Sequence, residues 1–196
     1  MIKIILFRGG FAGDLITALH DMNCFIELKE TGQIVIERNR RILQLDFKNL
    51  SPTNFKLLKR NTDLSISEKD QYLSEHKIIS CHDSEFALKH HRNTLIIKCD
   101  NNLMSSFFSK RFYDYHPECF AETTLEDYKQ DVLNWNNFWP TKFKNQLDVS
   151  DIFENKNFLE KININIDSNK QTLFDNWKEI NQKSFDNYIK IKHETN

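Results

Sequence analysis

The chain has 196 residues, 28% of them charged, a mean hydropathy of −0.60 and no apolar run near the ~18–20 residues a bilayer-crossing helix needs, which argues against a membrane protein. A formal charge of −1 and a pI near 6.7 argue against a general nucleic-acid coat, since phosphate-backbone binding relies on clustered excess Lys and Arg. Cys24, Cys81, Cys99 and Cys119 lack any CxxC spacing, so neither a structural zinc site nor a disulfide framework is signalled.

In chain order, Ile2 to Phe7 is a short apolar run, and Leu15, Ala18, Leu19 and Met22 then recur at helical spacing. The opening is therefore strand, glycine turn, helix, with Asp14 as the helix cap. The start MIKIILF lacks a cleavage site and reads as the first strand of a cytoplasmic protein rather than a signal peptide. Cys24–Leu28 and Gln33–Glu37 flank KETG and predict a hairpin, while Ser51-Pro52 predicts a helix start leading into Phe55, Leu57 and Leu58. Ser67 to Ser74 predicts another short helix.

Strand-helix alternation then returns twice. Lys77–Cys81 precedes HDSEFALKH, and Thr94–Cys99 precedes NNLMSSFFSKRF. Strands apolar on both faces that alternate with helices imply an α/β fold with a parallel sheet flanked by helices. Thr124 caps a helix over LEDYKQDVLNWNNFW, Leu147–Phe153 is a candidate strand, and helices follow at Asn155–Ile162 and Ser168–Lys190, giving a helical C-terminal part to one domain spanning 1–196. Leu133, Trp135, Phe138 and Trp139 read as core, SKRFYDYH as a helix end, and Glu126, Asp127 and Asp131 as a solvated helix face.

Parallel α/β sheets hold ligands where strands end and helices begin, so the residues after Phe7, Cys81 and Cys99 are the first candidates. Three of the chain's four glycines, Gly9, Gly10 and Gly13, crowd the first of these ends. Glycines there allow close approach of an anion to backbone N–H groups, or serve a tight turn needing positive φ; Arg8 adds a cation. The spacing is one residue short of a Walker A loop and Asp14 stands in place of its lysine, which argues against Mg-dependent nucleotide hydrolysis. His82, at the second end, is a candidate general base. At the third, Lys98 is followed eight residues on by Ser106 and then by Phe107 and Phe108.

Taken together, these three strand ends resemble the PAPS-dependent sulfotransferases. That family has a P-loop-type α/β fold, a K-S/T-G-T-T or R-S-G-T loop for the 5′-phosphosulfate, a histidine in a K-T-H-L context, and a 3′-phosphate site made by an arginine and a serine eight residues later. The resemblance implies that Arg8, Gly9, Gly10, Phe11, Ala12 and Gly13 form the 5′ loop, that His82 and Arg8 are catalytic, and that Lys98 and Ser106 hold the 3′-phosphate. PAPS, or its product adenosine 3′,5′-bisphosphate, is the implied cofactor, with a small-molecule or glycan hydroxyl as acceptor and no metal, nucleic acid or membrane. FDNWKEIN resembles the family's D-W-K segment, and FRGGFAGDLITAL is similar to small sulfotransferase-like proteins of marine phages and bacteria. The chain departs from the pattern at Phe11 and Ala12, where the loop threonines are missing, at Ser80, which replaces the lysine of K-T-H-L, and at Lys98, which keeps charge but loses arginine's bidentate fork. Those departures leave a non-catalytic binding or assembly module as the alternative, and the glycine turn also suits a nucleotide-sugar glycosyltransferase.

Overall fold

The structure, a computed structural model, describes residues 2–20, 25–28, 33–38, 41–45, 56–57, 79–154 and 158–194. Strand β1 (Ile4–Phe7) leads into helix α1 (Gly13–His20). Four strands follow, β2 (Phe25–Leu28), β3 (Gln33–Arg38), β4 (Arg41–Leu45) and β5 (Lys56–Leu57). The chain continues through β6 (Ile79–Cys81), α2 (Ser84–Lys89), β7 (Thr94–Lys98), α3 (Asn102–Tyr115) and α4 (Leu125–Phe138). It ends with β8 (Asn145–Asp148), α5 (Val149–Glu154), α6 (Phe158–Lys161) and α7 (Ser168–Glu194).

One sheet has the order β6-β1-β7-β8 and every pairing in it is parallel, with Ile4 opposite Ile79 and Thr94, and Lys98 opposite Asp148. Alternate residues divide between two cores. Ile5, Phe7, Leu95, Ile97 and Leu147 share one buried cluster with α1, α3 and α7, whereas Ile4, Leu6 and Ile96 share another with Phe86 and Ala87 of α2 and Trp135 of α4. Both faces are covered, so these strands are apolar at consecutive positions instead of alternating. From β1 the chain reaches its neighbour β6, then passes to the far side of β1 to form β7 and moves outward to β8. That reversal makes the ends of β1 and β7 the topological switch point of the sheet.

The other sheet is antiparallel, in the order β2-β3-β4-β5. Its first pair, with Phe25 opposite Ile36, is the predicted hairpin. The helix expected after Ser51-Pro52 is not what Lys56 and Leu57 form: they pair with Gln44 and Leu43 of β4, where ladder hydrogen bonds override a weak local preference. Residues 51–55 and 58, and the expected helix over 67–74, lie outside the described residues.

Three further boundaries differ from expectation. Helix α1 starts at Gly13 and its Ala12 carbonyl already accepts from Ile16 N–H at 3.1 Å, so Asp14 lies within the first turn and is not the cap. The expected strand over Leu147–Phe153 stops at Asp148. There Oδ1 accepts from Ser150 N–H at 2.8 Å and Ser150 O–H at 2.6 Å, an N-cap geometry that starts α5 and sends Val149, Ile152 and Phe153 into the core at helical spacing. The helix expected over 155–162 is described only as α6, after which Asn163 adopts φ 56°, a left-handed exit open to asparagine. Of the aromatic group on α4, Trp135 is buried and Trp139 packs against the same cluster, but Phe138 is 54% exposed with the Lys142 ammonium 4.9 Å above its ring.

Candidate functional site at the strand ends

The turn leaving β1 is held by its own backbone: Phe11 N–H donates to Arg8 O at 3.1 Å and Ala12 N–H to Gly10 O at 3.3 Å. Gly10 has φ +88°, a conformation that suits glycine. A Cβ on Gly9 would stand 2.5 Å from Cζ of Phe112, and one on Gly13 would overlap the Phe7 ring. Close approach of aromatic rings therefore accounts for two of the three glycines. Phe11 is buried, in edge-to-face contact with Phe108 at 6.0 Å, so the turn directs this side chain into the core.

Arg8 lies where the turn begins. Its guanidinium sits 5.7 Å from the centre of the Tyr128 ring, its Nη2 is 3.9 Å from Asp131 Oδ2, and its Nε is buried without a hydrogen-bond partner among the described residues. Tyr128 donates to Gly9 O at 3.4 Å and stacks on Phe112 at 5.7 Å. Burial pushes its phenol up to about 12, against a smaller opposing pull from Arg8. It therefore stays a neutral donor.

At the end of β6, His82 is exposed and places Nδ1 2.8 Å from Phe7 O, with its ring edge-on to Phe7 at 4.4 Å. A carbonyl only accepts, so Nδ1 carries a proton, and in the neutral form of the ring Nε2 is the basic nitrogen. The neighbouring Asp83 serves the helix instead, its carboxylate capping α2 by accepting from Phe86 N–H at 2.9 Å.

At the end of β7, Lys98 is ion-paired with Asp100, and Asp100 N–H donates to Asp148 Oδ2 at 2.9 Å. The Cys99 thiol is pushed up to about 12 by burial and then by Asp148, which keeps it protonated and unreactive. Asn101 caps α3 through Leu103 and Met104 N–H. Ser106 is half-buried on that helix, and among the described residues no hydrogen bond joins it to Lys98. Phe107 and Phe108 are core residues, with Phe107 also against Phe185 at 5.3 Å and Tyr188 at 5.5 Å.

Arg8 and His82 are thus gathered around the last residue of β1, and Lys98 ends the neighbouring strand. Sequence reasoning did not single out how α4 crosses all three ends. Tyr128 reaches Gly9, Trp135 Nε1 donates to Ser84 Oγ at 3.2 Å, and Asn136 bridges Cys99, accepting from its N–H at 3.3 Å and donating to its C=O at 2.9 Å. A signal was available in the spacing, because positions 128, 131 and 135 share one helix face.

The class defined by this arrangement is an α/β protein with a parallel sheet covered on both faces and polar side chains collected at adjoining strand ends. Comparison with protein-family models, with curated proteins and with solved structures returns no match. Among the described residues no helix is long and apolar enough to cross a membrane, and no group of three or more His, Cys, Asp or Glu could hold a metal ion.

Proposed function

We propose that the chain is a divergent sulfotransferase-like protein with a P-loop-type fold, moving a sulfuryl group from PAPS to a hydroxyl on a small molecule or glycan. The observation that carries the reading is the His82 Nδ1 to Phe7 O contact of 2.8 Å, which sets Nε2 as the basic nitrogen beside the β1 turn. A bound donor would supply the sulfuryl group and a bisphosphate leaving group. His82 Nε2 takes the acceptor's proton as its oxygen bonds to sulfur and the bond from sulfur to the phosphate oxygen breaks. Arg8 and Lys98 balance the charge left on the bisphosphate. The fit is better at Arg8, whose side chain is 33% exposed at the start of the turn, and poorer at Phe11 and Ala12, whose side chains offer no hydroxyl and whose N–H groups are engaged in the turn.

Calorimetry with adenosine 3′,5′-bisphosphate tests the reading. The expected result is binding that weakens about tenfold or more in Arg8→Ala, the loss of a charge-assisted contact, and that survives His82→Ala while sulfuryl transfer does not. No heat at millimolar ligand would overturn it, and binding of a nucleoside-diphosphate sugar instead would favour a glycosyltransferase. The rings pressed on Gly9 and Gly13 favour a second reading, a binding or assembly module that keeps the fold without the reaction; transfer dependent on His82 would exclude that.

A further inference from the structure

Helix α4 meets each strand end through a different kind of group. Asn136 makes a two-point clamp on the Cys99 backbone, and Trp135 a single bond to Ser84. At the β1 turn the hold is looser, since the Tyr128 bond to Gly9 O is long at 3.4 Å and the Asp131 carboxylate stands 3.9 Å from Arg8. Asp131 is 64% exposed and the Arg8 side chain 33% exposed, so water screens this pair and its attraction is small. The guanidinium has five N–H donors in a planar fork. Here the buried Nε has no partner among the described residues and the Asp131 carboxylate, at 3.9 Å, is beyond hydrogen-bonding distance, so this pair is held by charge and not by a hydrogen bond.

We infer that Asp131 is an exchangeable counterion which holds Arg8 against α4 until a phosphate group takes its place. This rests on the reading of Arg8 as an anion ligand and adds a residue that sets affinity. A phosphate within reach of Arg8 lies close to the Asp131 carboxylate, which repels it, so the carboxylate must swing away or the N-terminal part of α4 must lift. The Asn136 clamp lies eight residues nearer the end of α4 than Tyr128, about two helical turns away, so movement at Tyr128 and Asp131 leaves the β7 end tied. When no ligand is present, Asp131 is therefore a weak competitor with an anion for Arg8.

The test is calorimetric titration of adenosine 3′,5′-bisphosphate into wild type, Asp131→Asn and Arg8→Ala, with amide hydrogen exchange across α4 as a second measurement. Asp131→Asn is expected to bind about two- to fivefold more tightly at low salt, the size of an exposed ion pair, and the gain should shrink as salt screens it. Ligand is expected to speed exchange around Tyr128 and Asp131 and to leave the Asn136 turn unchanged. Binding that is lost in Arg8→Ala but equal in wild type and Asp131→Asn, with no change in exchange, would overturn the counterion role while the reading of Arg8 stands. Binding by Asp131→Asn alone would support both. Absence of binding by every variant, or binding indifferent to Arg8, would overturn both.

Discussion

Gly9 carries a packing constraint that a substitution can measure. Its position against Phe112 leaves no room for a methyl group, and Phe112 is itself held between Tyr128 at 5.7 Å and Phe120 at 5.7 Å, so the ring has little freedom to retreat. Gly9→Ala is therefore expected to destabilise the fold by about 1–3 kcal/mol, the usual cost of overfilling a packed site, read as a lower urea midpoint at unchanged slope. Trimming the ring in Gly9→Ala with Phe112→Leu should recover part of that loss; a double variant that loses the sum of both single effects would show that the clash is not the cause. The glycine cluster was visible in the sequence as a place where the backbone needs freedom. What demands it was not, because Phe112 lies about a hundred residues away and only tertiary packing brings it there. His82 is the converse case: its place at a strand end followed from the apolar run before it, and the carbonyl that fixes its tautomer belongs to a different strand.

Among the elements, α4 shows best what a local pattern contains. Its start was legible at Thr124, and the structure adds a capping box in which Thr124 Oγ1 accepts from Asp127 N–H at 3.1 Å and Asp127 Oδ2 accepts from Thr124 N–H at 3.2 Å. Hydrogen bonds from the Thr124 side chain and then its backbone hold the Asp127 carboxyl below the ordinary carboxylate range. Asp131, on the face read as solvated, is indeed exposed, yet it also reaches Arg8. Asn136 gave no signal, since a single asparagine in a helix reads as surface until the strand end it clamps is known. Removing it in Asn136→Ala leaves Cys99 N–H and C=O without this partner at a part-buried site, and a loss of about 1–3 kcal/mol is expected. Faster amide exchange at Cys99 and Asp100 in that variant would locate the effect at the β7 end; an unchanged urea midpoint would show that water replaces the clamp at no cost. The boundary between β8 and α5 failed for a related reason: LDVSDIF is apolar at both strand and helix spacing, and the Asp148 bonds to Ser150 decide between them.

At the scale of the whole molecule, a pH effect on stability comes from a residue outside the candidate site. His20 ends α1, where a positive charge would suit the helix dipole. Tertiary structure opposes this, because α1 packs against α7, His20 Nε2 is sealed without a hydrogen-bond partner among the described residues, and burial, followed by repulsion from Lys170 on α7, lowers the histidine to about 4 from its ordinary 6.5. The native state thus disfavours the protonated ring, while the unfolded chain accepts the proton at its ordinary value. Between those two values the unfolded state binds more protons, so the contribution of His20 is fully present above about pH 6.5 and is lost as the pH falls toward about 4. At 1.36 kcal/mol per unit the full loss is about 3 kcal/mol, a large part of the roughly 5–15 kcal/mol that separates folded from unfolded domains. Urea unfolding of wild type and His20→Leu at about pH 8 and about pH 4.5 isolates this group, since every other titrating side chain is common to both. The wild type is expected to lose about 2–3 kcal/mol more than the variant over that interval, and equal losses would assign the acid sensitivity to the carboxylates instead. Because leucine fills the space without a charge to bury, the variant should also be the more stable of the two in acid even if the substitution costs stability at neutral pH.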